Sequence, residues 1–365
     1  MDTILLISNQ KLDAPVGRAE KLTFRKNKLE ELGWQIKICY IDVNAGKGPI
    51  PSLKYLIKCY REVENWNADI VHSISEPYQL HVIGAIVSHL TCTPWLAELR
   101  DPIASSPGLN PDGDYRRRFQ RTFVEKITVT YADKVVWLDG IQIDDNYFER
   151  KYPQISKTQF KKIPGHGVDL EGKEEIKPVK HDQFTLIYAG SFYKGWIEPM
   201  RLLDGIKRYT DLYDPNIQII FFGDWEENYT KYSEKLSIND LITVYGWQDP
   251  SEVQNHLAGA DGLIYIGGTD NRNKLNIPSK IYDYLTVQVP ILGLVDPSFE
   301  SAKFITSNDA GTVVDPDKSD DIAEAINSIK SGSVPSVPDS TLTKYSRKDI
   351  VAEFDNIFRD LIYQN

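Results

Sequence analysis

Three cysteines among 365 residues, Cys39, Cys59 and Cys92, are an odd number at no metal-ligand spacing, and they predict reduced thiols in the cytosol. Long apolar runs are missing as well. The run nearest the amino terminus, residues 4–7, is flanked by Asp2 rather than by a basic region, so neither a signal peptide nor a membrane span is expected. Positive charge is in deficit: 42 Lys and Arg face 52 Asp and Glu, for a net charge of −10 and a pI near 5.2. That balance argues against bulk attraction to nucleic acid or anionic lipid, though a local basic patch can still act. What is present is ordinary for a globular protein, with 41% hydrophobic and 26% charged residues. The length exceeds what one core comfortably holds, so two domains are expected.

Along the chain the pattern of strand, turn and helix repeats. Residues 3–8 are a compact apolar run of strand length. A loop through Pro15 and Gly17 leads into a helix with Leu22, Arg25, Leu29 and Leu32 on one stripe, and Gly33 stands where a helix carboxyl-terminal glycine belongs. Further strands are expected at 35–41, 69–73, 95–99 and 134–138, separated by helices. A second series, 184–188, 218–222, 242–245, 263–266, 291–294 and 312–314, follows a charged stretch containing Pro178. Asp249-Pro250 and Asp296-Pro297 read as helix starts, Asp capping and Pro following. The last helix opens at Ser346 and stripes Ile350, Phe354, Ile357 and Leu361.

Strands alternating with helices imply right-handed crossovers and parallel sheets covered on both faces. The predicted fold class is α/β, with two doubly wound domains. The first spans 1–168, a linker 169–182 follows, the second spans 183–344, and a helix at 345–365 packs across the domains, back toward the first. Ligands of such sheets bind beyond the carboxyl ends of the strands, so two facing domains define a cleft.

The most informative stretch is 276–285, Asn-Ile-Pro-Ser-Lys-Ile-Tyr-Asp-Tyr-Leu. Pro278 suits the first helical position. Behind it, unpaired N–H groups and the positive end of the helix dipole form an anion site, to which Lys280 adds a full charge. Asp283 shares the face of Lys280, and a carboxylate beside a phosphate site suits hydroxyls such as those of a ribose. Gly267 and Gly268 before this helix allow a ligand close to the backbone. Taken alone, the stretch is also compatible with an ordinary capped helix bearing a solvated Lys/Asp pair.

The whole chain resembles the GT-B glycosyltransferases of the large retaining group, family 4. The resemblance rests on Pro278-Ser279-Lys280-Ile281-Tyr282-Asp283-Tyr284-Leu285 before the apolar 289–292. Supporting matches are Ala68-Asp69-Ile70-Val71-His72, Glu98-Leu99-Arg100-Asp101-Pro102, Ile163-Pro164-Gly165-His166-Gly167 and Tyr188-Ala189-Gly190-Ser191. One departure stands out. The family usually carries two glutamates with seven residues between them; the second falls on Asp283 and the first on Leu275.

The resemblance implies two Rossmann-like domains, the first binding an acceptor and the second a nucleotide-sugar donor. Asp283 would hold the ribose, and Pro278, Ser279 and Lys280 the diphosphate. Gly190, Ser191, Gly268 and, from the first domain, Gly17 with Val16 and Arg18 would approach the donor. Lys194, followed by Gly195, would add a cation, unless it is simply exposed; Arg272 and Lys274 reach phosphate or sit in a surface loop. Trp247 would border the nucleobase or belong to the core. Asp101, at a strand's carboxyl end, would serve the acceptor site as a catalytic residue or cap a turn, and His72 reads as structural. Gly17 also fits a plain turn, as do Asp112 and Asp114.

The implied chemistry is retaining transfer of a hexose from a UDP- or GDP-sugar to a glycan or lipid-linked acceptor, in cell-surface polysaccharide or glycoconjugate synthesis. No metal and no cofactor beyond the nucleotide-sugar co-substrate is expected, and no nucleic acid partner. The expected place is the cytoplasm, including the inner face of the membrane. There the helix spanning Arg116 to Lys126 offers a peripheral contact, its other reading being a solvated face with Tyr115, Phe119 and Phe123 packed inward. The alternatives are a GT-B-shaped nucleotide-sugar epimerase and a non-catalytic nucleotide-sugar-binding protein.

Overall fold

The computed structural model describes residues 1–12, 17–42, 51–75, 77–105 and 115–363. The chain divides into one unit of residues 1–166 with 347–365, and another of residues 167–346. Each is built on a six-stranded parallel sheet.

In the first unit the elements run β1 (Thr3–Ser8), α1 (Gly17–Glu31), β2 (Gln35–Tyr40), α2 (Leu53–Trp66), β3 (Ile70–Ile74), α3 (Gln79–Thr91), β4 (Trp95–Leu99), α4 (Tyr115–Tyr131), β5 (Lys134–Leu138), α5 (Tyr147–Lys151) and β6 (Phe160–Ile163). The strand order is β2-β1-β3-β4-β5-β6. The direction of winding reverses between β1 and β3. Both strands are buried at every residue, as continuous apolar runs in the middle of a parallel sheet should be. With right-handed crossovers, α1 lies on one face and α2, α3 and α4 on the other, where α2 packs on α3 and α3 on α4. Cys39 of β2 and Cys59 of α2 meet in this core with their Sγ atoms 3.0 Å apart.

The second unit continues with β7 (Phe184–Ala189), α6 (Met200–Leu212), β8 (Ile217–Phe222), α7 (Glu227–Lys235), β9 (Ile242–Gly246), α8 (Pro250–Ala258), β10 (Gly262–Gly268), α9 (Ser279–Val287), β11 (Ile291–Val295), α10 (Glu300–Ser307), β12 (Gly311–Val314), α11 (Ser319–Lys330) and α12 (Asp339–Lys344). Its strand order, β12-β11-β10-β7-β8-β9, reverses between β7 and β10. One apolar cluster gathers Ile281, Tyr284 and Leu285 of α9. Another joins Leu202 and Ile206 of α6 to Ile322 and Ile326 of α11. The final helix, α13 (Arg347–Tyr363), buries Phe354 and Phe358 in the core of the first unit. Arg347 pairs with Glu20 of α1 at 3.0 Å, and Trp34 donates to Asp355 at 2.6 Å. Among the described residues no helix is long and apolar enough to cross a membrane.

Two helix starts differ from expectation. Pro278 does not occupy the first helical position: it is the N-cap of α9, with extended ψ of 152°, and Ser279 opens the helix. Asp296 does not cap α10, which begins after Phe299; its carboxylate instead accepts from the Ser298 N–H at 2.8 Å, closing a local turn. Asp249 and Pro250 do open α8 as cap and first residue.

The contact of α6 with α11 depends on Gly205 of α6, where a Cβ would collide with the side chain of Ile322, itself fully buried on α11. Gly205→Val overpacks that interface and should lower unfolding free energy by about 1–3 kcal/mol in urea titration. Adding Ile322→Ala should recover part of the loss, giving a coupling of the two sites that independent positions would not show.

Candidate functional site

The carboxyl ends of β7 and β10 meet at the reversal point of the second sheet, the position where open α/β sheets take ligands. Tyr284 of α9 fixes the helix against both strands. Its hydroxyl donates to the Ile264 carbonyl at 3.1 Å and accepts from the Ala189 N–H at 3.0 Å. One turn earlier, Lys280 donates to the Tyr188 hydroxyl at 3.1 Å, and its ammonium lies 4.3 Å from the centre of the Tyr188 ring. Tyr188 in turn donates to the Ser191 carbonyl at 2.8 Å and stacks on Phe192.

This arrangement requires glycine. Gly190 has φ of 139°, and a Cβ there would strike the Lys280 ammonium. Gly223, at the end of β8 with φ of 112°, would strike the Gly190 carbonyl. Gly246 closes β9 with φ of 70°, and Gly268 closes β10 with φ of 66°. The strand ends around Lys280 are thus bare backbone. The first turn of α9 carries no side-chain cap, so its leading N–H groups remain available to an anion. Asp283, half-buried one turn on, favours the charged form of Lys280.

The other expected donor residues lie on the same edge. Ser279 is the first residue of α9 and half-buried. Trp247 is not core: it is 67% exposed beyond Gly246 and donates to Asp224 at 2.8 Å. Lys194 is exposed at the tip of a tight turn in which Tyr193 N–H donates to Ile197 at 2.8 Å. Arg272 does not hang in a loose loop. Asp270 takes two of its guanidinium N–H groups at 2.9 and 2.6 Å, and the guanidinium lies 4.4 Å from the Trp196 ring centre.

In the first unit, Gly17 opens α1; Val16, Asp112 and Asp114 lie outside the described residues. Asp101 follows β4 and is half-buried. Burial pushes its carboxyl up, against the pull of Arg18, Arg100 and Arg121. Beneath it lies a buried cluster whose composition sequence reasoning missed. Glu98 is fully buried and meets Arg25 at 2.7 Å, Arg100 at 3.1 Å and His72 Nε2 at 3.0 Å. Burial opposes its charge, but Arg25, Arg100 and His72 hold it well below the usual carboxylate range. His72 is thus buried as a partner of Glu98. Burial also keeps His166 neutral, with Lys21, Arg100 and Arg18 acting in the same direction. The Arg25 position on an apolar helix stripe was the one local sign of this cluster.

Burial lowers the Lys280 ammonium to about 8, against roughly 10.4 in an unfolded chain. Between those values the unfolded state holds more protons, so this residue makes stability rise with pH across that window. The stability of wild type minus that of Lys280→Met, from urea titrations, should therefore increase from about pH 8 to about pH 10. A flat difference would place the Lys280 ammonium in water.

The fold is that of GT-B glycosyltransferases. A sucrose-phosphate synthase from Thermosynechococcus elongatus superposes with a TM-score of 0.71 at 14% identity, over 100% of each chain. Anabaena HepE in complex with UDP-glucose gives 0.67 at 14% identity, over 98% of this chain and 99% of that one. A putative UDP-N-acetylglucosamine 2-epimerase from Listeria monocytogenes gives 0.60 at 10% identity, over 100% and 97%. None of the curated proteins matches the chain. Residues 171–349, which include the whole of the Lys280 site, match the family model described as Glycosyl transferases group 1.

Proposed function

We propose that this chain is a retaining glycosyltransferase that moves a hexose from a UDP- or GDP-sugar to a glycan or lipid-linked acceptor. The observation that carries the reading is the meeting of Lys280, the bare Gly190 backbone and the uncapped start of α9 at the reversal point of the second sheet. A departing nucleoside diphosphate gains negative charge as the glycosidic bond breaks. Fixed N–H groups and an ammonium held out of water stabilise such charge strongly. Asp283 is assigned to the ribose hydroxyls, Trp247 to the nucleobase and Lys194 to the diphosphate. Gly17 is assigned to the donor and Asp101 to the acceptor, as residues of the first unit. Charge on the leaving group is met by protein cations and N–H groups, so the reading is metal-independent. The likeness to HepE, whose structure is in complex with UDP-glucose, supports a UDP-sugar. Cell-surface polysaccharide or glycoconjugate assembly in the cytoplasm completes the proposal.

The Listeria structure favours a second reading, a nucleotide-sugar epimerase. Such an enzyme converts its donor without an acceptor, whereas a transferase releases nucleotide in proportion to sugar transferred.

Thermal-shift screening against UDP, GDP and their sugars should identify one nucleotide that stabilises the protein. Asp283→Ala should weaken that ligand roughly tenfold to a hundredfold, the loss expected for hydrogen bonds to a charged group. Lys280→Ala should weaken the diphosphate but leave any binding of the bare nucleoside nearly unchanged. Full affinity in both variants would remove this edge of the sheet from the donor site. Appearance of an epimeric donor without acceptor would decide for the second reading.

A further inference from the structure

Of the three thiols, the fold buries Cys39 and Cys59 and leaves Cys92 exposed. Cys39 stands on β2, the edge strand of the first sheet, and Cys59 on α2, which packs over that edge. Their Sγ atoms, 3.0 Å apart, need approach by only about 1 Å to reach the roughly 2.05 Å of a disulfide. Two further bonds tie the same helix to the end of β2. Lys58 donates to the Tyr40 carbonyl at 2.7 Å, and the Tyr55 hydroxyl donates to the Asp42 carbonyl at 2.6 Å. Strand and helix are thus registered at the point where the thiols face each other.

The pair is not symmetric. The hydrogen bond from the Cys59 thiol lowers the Cys39 thiol below its ordinary value, and Lys58 adds to this against burial and Glu62. The same bond, together with burial, pushes the Cys59 thiol up. Cys39 is therefore the nucleophile and Cys59 the thiol placed to resolve it. An apolar core contact between two sulfurs calls for no cation, yet Lys58 stands beside this one. Cover over the pair is thin. Of the 14 residues of α2 only Cys59 and Val63 are buried. A helix anchored by so few buried side chains opens locally at small cost, which admits an oxidant the size of a water molecule or two.

We propose that Cys39 and Cys59 are a reversible redox pair, closed to a disulfide by a hydroperoxide and reopened by a dithiol. With hydrogen peroxide, the Cys39 thiolate attacks one oxygen and the O–O bond breaks. The departing hydroxide takes up the proton that Cys39 has lost and leaves as water. The Cys59 sulfur then attacks the sulfur of the Cys39 sulfenic acid. The S–O bond breaks, and its hydroxide leaves with the Cys59 proton as a second water. Two electrons pass from the thiols to the peroxide, and a dithiol returns them while itself becoming a disulfide. In a reducing compartment the resting state remains the two free thiols. The closed bond staples α2 to the edge strand one residue from its carboxyl end. The proposal does not depend on the glycosyl transfer reading.

The test uses the full chain with Cys92→Ser, which leaves the pair as its only thiols. Hydrogen peroxide is added at a dose that oxidises half of a free cysteine standard in the same tube. Catalase then removes it, and the protein is denatured in iodoacetamide. Most of the protein should lose about 2 Da, take up no alkyl group and yield one peptide joining residues 39 and 59. Dithiothreitol should split that peptide and restore two alkylated thiols. With Cys59→Ala added, Cys39 should instead be trapped by dimedone as a sulfenic acid. With Cys39→Ala added, Cys59 should stay a thiol at the same dose. The closed form should melt roughly 5 °C or more above the open one, because the bond restricts the unfolded chain. Two thiols still alkylated at that dose would overturn the proposal. So would sulfinic acid without a joined peptide, a bond between two chains, or a closed form that melts below the open one.

Discussion

An ammonium group held against a tyrosine face and a glycine backbone sets the terms for the second unit. Lys280 has a hydroxyl at 3.1 Å and a ring centre at 4.3 Å, contacts that lower the cost of burying a cation without cancelling it. The remaining deficit shows as a proton held only to about pH 8. An arriving anion would remove that deficit, which is why an under-compensated cation belongs at a binding site rather than in a core. The contact also constrains the backbone around it. Lys280 can reach Tyr188 because Gly190 has no Cβ, and the Gly190 carbonyl can sit where it does because Gly223 has none. Two strand ends are therefore committed to glycine by the placement of one side chain.

The first unit solves a different problem with similar parts. Glu98 is wholly buried at the carboxyl end of β4, with Arg25 from α1, His72 from β3 and Arg100 from the following turn around it. A charge so placed is tolerable when its partners complete its hydrogen bonds, and each partner comes from a different element. Arg25 is in turn covered by Phe354 of α13, its guanidinium 4.1 Å from the ring centre. The last helix therefore closes the network, so the first unit depends on residues that follow the whole of the second unit in the chain. Asp101 stands at the rim of the same cluster, among cations yet held toward its neutral form by burial.

Local features explain what could be read in advance. Short, largely apolar runs marked β1, β3, β10 and β11 because central parallel strands are buried on both faces and need no alternation. The α9 tip was legible because proline, lysine and acid at fixed spacing act within two helical turns. Pro278 was displaced by one position because its extended ψ suits the cap as well as its φ suits the helix. The Glu98–Arg25 pair spans 73 positions, and no periodicity reports a contact of that range. Leu32, counted on the α1 stripe, is 47% exposed because the helix has ended at Glu31. Of the two readings of α4, the one with Tyr115, Phe119 and Phe123 packed inward fails for another reason, since all three are exposed. Helical spacing identifies a stripe but does not say which of two stripes the sheet will cover.

The two cationic features of this acidic protein belong to different physical regimes. Lys280 acts at short range, half-buried, beside helix N–H groups, where salt screens much less than at an exposed surface. The α4 arginines are exposed and act through water, where attraction to a charged surface fades within about 8 Å at physiological salt. Long-range steering of an anion by the net charge of −10 is unfavourable, so recognition of any phosphate has to be local in both places. A phosphate at Lys280 must shed water and sit on bare backbone, which selects by fit. A nucleotide binding at Lys280 should therefore lose affinity only weakly as ionic strength rises.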